Sequence, residues 1–207
     1  MKSILVLLLS FILLQSERLQ AQSNFDGKKW EAPYFLDTIK GGYIERFLIP
    51  ISFAPSIHYK GVEDIRFTPG WGKIETSEYW AYTFLWYLDG IQKLDEKTIE
   101  KNLTAYYTGL AKTNVDTSKI AVDKLKALNA SFIKRKTEQQ DAQTFEGTID
   151  IFDFIIKKSI RLNVIIHLRY CKDQNKTFIF HEVSPKALGN AVWNDLNLLW
   201  TTFRCKR

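Results

Sequence analysis

The chain has 207 residues, 45% of them hydrophobic and 14% aromatic, with 29 Lys and Arg against 23 Asp and Glu. That apolar share can bury a core and excludes a disordered, collagen-like or disulfide-dominated chain. The formal charge of +6 is mild, and the longest basic stretch, Lys134-Arg135-Lys136, has no recognition motif beside it, so no nucleic-acid partner is expected.

Lys2 precedes an apolar run from Ile4 to Leu14, after which the chain turns polar at Gln15-Ser16-Glu17-Arg18. A positive start, a short apolar middle and small residues beyond are the pattern of a secretory signal peptide. Residues 1–23 are read as that leader, because a cut after Ser23 places Ala21 and Ser23 at the two small-residue recognition positions. The apolar run is about half of the roughly 20 residues a spanning helix needs, and no later stretch is longer and as apolar. With no cysteine near the leader to hold a lipid anchor, an exported protein, periplasmic or secreted, is expected, with no membrane span after cleavage. Removing Lys2 and Arg18 (+2) and Glu17 (−1) takes the formal charge from +6 to +5. Residues 24–207 are of ordinary size for a single domain.

In chain order, strands are predicted at Tyr34–Ile39 and Glu45–Phe53, the second stopping where Pro50 or Pro55 removes ladder donors. Glu63–Phe67 is a short strand running into the Thr68-Pro69-Gly70-Trp71-Gly72 turn. Glu78 to Gly90 is rich in aromatic residues and ends at Asp89-Gly90, which favours a strand buried on both faces over a helix. Asp95 to Lys112 is the cleanest helix: Asp95 is its expected N-cap, and Ile99, Leu103, Tyr106, Tyr107 and Leu110 fall on one stripe. A meander follows at Ile120–Leu125, Ser131–Thr137, Thr144–Phe154, Ile160–Cys171 and Thr177–Val183, then an amphipathic helix from about Asn190 to Phe203. The expected fold is α+β: an antiparallel sheet of about six to eight strands with a middle and a C-terminal helix packed on one face.

Two cysteines in an exported chain predict a disulfide, here Cys171–Cys205. In the last hairpin, pairing Leu168 with Phe180 buries Phe178 and Phe180 beside Leu162, Val164 and Ile166, and sets His167 opposite His181. Two facing imidazoles without a third ligand read as exposed histidines rather than a metal site. Carboxylates beside aromatic rings crowd the segment around Pro69-Gly70, and Glu63, Asp64, Arg66, Trp71, Glu75 and Glu78 are its candidate ligand-binding residues. Rings stack on the apolar face of a sugar while acids accept hydroxyl hydrogen bonds; paired acids also run glycoside hydrolysis at the right separation. The bland alternative is a surface loop with Trp71 tucked into the core and its acids solvated. There is no nucleophile elbow, no phosphate-cradling Gly-rich loop and no His-Glu-x-x-His pair, so no cofactor is expected.

The Ala-Gln at the end of the leader and the segment EDIRFTPGW…SEYWAYTFLWYLDG resemble small exported proteins of unknown function from Bacteroidota-type bacteria. The late strands followed by a helix ending LLWTTFRC are similar to the PsbP/Mog1-like periplasmic fold. Two functions follow as expectations. The first is a non-catalytic exported module binding an envelope component, a glycan or a partner protein. The alternative is a polysaccharide-active hydrolase using two of Glu63, Asp64, Glu75 and Glu78.

Overall fold

The computed structural model describes residues 25–137 and 140–206, so the expected leader, residues 1–23, lies outside the described residues. The chain divides into two compact units, Met1–Glu31 and Ala32–Arg207. Of the first, residues 25–31 are described and contain a turn in which Asp26 Oδ1 accepts from the Lys28 N–H at 3.0 Å.

The second unit holds strands β1 (Tyr34–Phe35), β2 (Tyr43–Ile49), β3 (Gly61–Phe67) and β4 (Tyr82–Asp89), then helix α1 (Glu96–Asn114). Strands β5 (Leu128–Arg135), β6 (Gln143–Asp153), β7 (Lys158–Cys171) and β8 (Lys176–Ser184), helix α2 (Val192–Thr202) and strand β9 (Arg204–Cys205) follow. The fold is α+β, as the patterning predicts. Seven antiparallel strands form one sheet in the order β2-β3-β4-β8-β7-β6-β5, and β1 pairs with β9. β2 stops at Ile49, directly before Pro50. Asp95 caps α1 through a 2.7 Å hydrogen bond from the Thr98 N–H. Strand β4 is buried on both faces from Tyr82 to Leu88.

Strand alternation sorts the sheet into two faces. On one, Tyr82, Phe84, Trp86 and Leu88 share the main core with Val164, Ile166 and Leu168 and with Ile99, Leu103, Tyr106 and Tyr107 of α1. On the other, Phe180 stacks on Trp200 of α2 at 5.0 Å, and Trp193 and Leu196 pack with Ala81 and Ile165. The two helices therefore cover opposite faces rather than sharing one. The reason lies in the central strands: both faces of β4 and β8 are apolar, so each needs its own cover.

The same fact changes the hairpin register. Leu168 pairs with Ile179 and Ile166 with His181, one residue away from the expected pairing. Phe178 and Phe180 thus face Phe203 and Trp200 across from the α1 core, and the two histidines fall on opposite faces. His181 stacks on Phe84 at 4.0 Å, where burial holds its pKa down to about 3 and the ring neutral. The strand expected at Ile120–Leu125 is instead a 3-10 turn, Val122–Leu125, because Leu125 drops into a small cluster with Ala111 and Phe152 rather than joining the sheet. Of the strand expected at Tyr34–Ile39, only Tyr34–Phe35 is paired.

Cys171 and Cys205 are joined, tying the end of β7 to β9 and so closing the chain segment that contains α2. Such a loop closure contributes about 2–4 kcal/mol by restricting the unfolded chain. Replacing both cysteines by alanine should lower the unfolding free energy in urea by that amount. A double variant as stable as the parent would refute a structural role for the bridge.

Candidate functional site

The six residues singled out around the Pro69-Gly70 turn do not form one site. Glu63 and Asp64 are neighbours on β3, so alternation points them to opposite faces. Glu63 lies in the α1 core without solvent exposure and accepts from the Tyr106 hydroxyl at 2.6 Å and the Trp86 indole N–H at 3.2 Å. Desolvation outweighs those two bonds and pushes its pKa up to about 8. Asp64, on the other face, accepts from the Tyr34 hydroxyl at 2.8 Å, from Arg46 Nε at 2.9 Å and from the Arg66 guanidinium. Arg66 also donates to the Asp37 carbonyl at 3.0 Å, so this charged cluster fastens the segment after β1 onto the sheet. Glu78 accepts from the Gly70 N–H at 2.5 Å and pins the turn, while Glu75 is exposed.

Trp71 does face an opening. It is half-buried beside Phe67 (ring centroids 4.9 Å apart) and Trp80 (5.5 Å), and it lines a cleft of about 340 Å³ on the α1 face. β2 supplies one side of that cleft. Tyr43, Glu45 and Phe47 alternate onto the same face, and Tyr43 stacks on Phe67 at 4.4 Å. Tyr82, Tyr106 and Phe154 complete much of the wall, and Asn114 stands at its α1 side. Glu45 is exposed at the rim, yet the apolar mass beside it raises its carboxyl above the ordinary value.

Two further features mark this cleft. The indole N–H of Trp71 is buried and has no acceptor among the described residues, whereas that of Trp80 is directed at the Tyr79 hydroxyl. A buried donor without a partner costs about 1–3 kcal/mol, so the Trp71 N–H, on a ring that lines the opening, favours an acceptor supplied by water or ligand. Trp80 also adopts a left-handed backbone, φ 54°, a conformation that costs a bulky side chain of order 1–3 kcal/mol and concentrates at ligand sites.

A second polar cluster sits under α2. His167 Nδ1 lies 2.7 Å from Asp141 Oδ2, and its Nε2 lies 3.2 Å from Glu182 Oε1. The other Asp141 oxygen accepts from Arg169 Nη2 at 3.0 Å and the Trp200 indole at 2.9 Å, and the Arg169 guanidinium lies 4.1 Å from the centre of the Trp200 ring. Burial works against the charge on His167, but the two carboxylates outweigh it and carry its pKa up to about 9. Burial would likewise raise the Asp141 carboxyl, yet His167, Trp200 and Arg169 hold it below the ordinary value. These side chains are sealed beneath the helix, which makes the cluster a docking device for α2 rather than a site open to ligand.

Of the sequence candidates only Trp71 belongs to the cleft. Its other distinguishing residues, Tyr43, Glu45 and Phe47, sit in a segment that reads as a plain strand. The available signal was the spacing of an acid between two aromatic residues at every second position. Among the described residues no group of three or more His, Cys, Asp or Glu side chains could hold a metal ion, and no helix is long and apolar enough to cross a membrane. No protein-family model matches the chain, and no curated protein or solved structure is significantly similar to it.

Proposed function

We propose that this is an exported, non-catalytic binding module that takes a glycan of the cell envelope in the aromatic cleft around Trp71. The observation that carries this reading is the pairing of an aromatic wall with the acceptor-less indole N–H of Trp71. Rings offer a flat apolar surface to the C–H face of a sugar, and its hydroxyl oxygens can accept from indole. At about 340 Å³ the cleft lies at the small end of ligand sites, about 300–1,000 Å³, which suits one or two sugar rings. The export half of the reading rests on the leader pattern at residues 1–23.

The hydrolase alternative is weaker on this geometry. Glu63 and Asp64 are buried behind protein partners on opposite faces, Glu78 is engaged by a backbone N–H, and Glu75 projects from the surface. None of these four carboxyls is in the wall of the cleft.

A screen of envelope polysaccharides and a glycan array, run with the mature protein beside Trp71→Ala, tests the proposal. A specific binder whose affinity drops at least about tenfold in the variant is expected, since one stacked aromatic ring contributes roughly 1–3 kcal/mol in comparable base-stacking sites. A binder that the variant holds equally well would remove the cleft from consideration.

A further inference from the structure

We propose that the cleft selects a sugar-sized ring bearing a protonated amine, seated on the aromatic wall beside the Glu45 carboxylate. The inference rests on the cleft reading above and assigns that site its ligand class.

Charge complementarity points this way. The chain has 29 Lys and Arg side chains, yet none of them lines the cleft, whose single charged wall residue is Glu45. In a basic protein this is a local inversion of sign. It disfavours uronic acids, sulfated sugars and phosphates, which would meet a carboxylate and no cation.

Glu45 is also unengaged. Asp64, Asp141 and Asp150 each lie within ion-pair distance of an arginine, and Glu63, the diagonal neighbour of Glu45 across the β2–β3 ladder, has two protein donors. Among the described residues the Glu45 carboxylate has neither a hydrogen bond nor an ion pair, and the only influence raising its pKa is its partial burial beside the cleft wall. Alternation along β2 sets that carboxylate between Tyr43 and Phe47. An ammonium placed there meets ring faces and an opposite charge together, the pairing used by aromatic cages for organic cations. The ring oxygens of the same ligand can accept from the idle Trp71 indole. Each part of an amino sugar therefore finds its complement: a C–H face, an acceptor and a cation.

The test is a fluorescence titration of the full mature chain at neutral pH with three short oligomers of equal length: glucosamine, N-acetylglucosamine and galacturonate. The amine oligomer should bind about tenfold or more tightly than its N-acetylated counterpart, and the uronate weakest of all. Glu45→Gln should erase the amine preference, bringing the amine and N-acetylated oligomers within about twofold of each other; the exposed carboxylate takes part in no hydrogen bond or ion pair among the described residues, so the variant should fold as the parent does. Equal affinities in the parent, a preference that survives Glu45→Gln, or no binding of any of the three overturns the inference. Binding of neutral sugar that is lost in Trp71→Ala without an amine preference sinks this ligand class and leaves the cleft as the site. Binding unaffected by Trp71→Ala sinks both.

Discussion

Replacing Asp141 by Asn is expected to cost about 3–5 kcal/mol of folding stability, the usual result of removing one partner from a buried ion pair. His167, Arg169, Asp141 and Glu182 form a buried set whose charges balance, two positive and two negative. Asn keeps the shape but strands Arg169, weakens the hold on His167 and turns an acceptor of the Trp200 indole into a poorer one. Because Trp200 stacks on both Phe180 and Phe203, the loss should loosen α2 before it reaches the α1 core. The pH dependence separates this from generic damage. His167 titrates at about 9 in the folded protein against an ordinary 6.5, so its contribution is fully present below 6.5 and disappears as pH rises through 9. Asp141, held below its ordinary value, contributes above about 3.8 and loses that contribution in acid. Urea unfolding at pH 7 and pH 10 should therefore show the parent losing more stability than Asp141→Asn over that interval. Equal losses in the two proteins would show that Asp141 does not hold the charge on His167.

Most of the frame was legible because it depends on local periodicity. Asp95 announces α1, Pro50 bounds β2, and the aromatic run to Asp89-Gly90 reads as a central strand; each is a signal confined to a few residues. What periodicity could not supply was the partner of each face. In β8 both sets of alternate residues are apolar, Phe178 and Phe180 on one side and Ile179 and Val183 on the other, so pattern alone leaves the register with β7 free to slip by one. That slip decides whether His167 and His181 meet, and it also moves α2 to the far face. The cleft was hidden for a related reason. Glu63, Asp64 and Arg66 are close in sequence and polar, which suggests a shared surface, whereas alternation and burial spend them on internal bonds. Trp71 reached the cleft only by meeting Tyr43, Glu45 and Phe47 of β2, more than 20 positions away, through the β2–β3 pairing.

Glu63→Gln should reveal a second buried acid by making the protein more stable in base. In the folded chain Glu63 holds its proton up to about 8, whereas the unfolded chain releases it near 4.5. The stabilisation due to protonated Glu63 is thus complete below 4.5 and is lost as pH rises through 8. At about 1.4 kcal/mol for each unit of displacement, the full swing is of the order of several kcal/mol. Gln stays neutral throughout and retains an oxygen to accept from Tyr106 or Trp86. The stability difference between variant and parent should therefore be near its minimum at pH 4.5 and grow to several kcal/mol by pH 9, measured by urea unfolding at fixed intervals between them. Parallel profiles would mean that the carboxyl is ionised in the folded state and that burial does not govern it. The variant also bears on function. Tyr106 lines the cleft while Glu63 lies behind it, so ligand held by the wall should bind Glu63→Gln and the parent alike at pH 6, where both are neutral at this position. A hydrolase that draws its proton from Glu63 would instead keep its ligand and lose turnover, which places the two readings of this protein on one substitution.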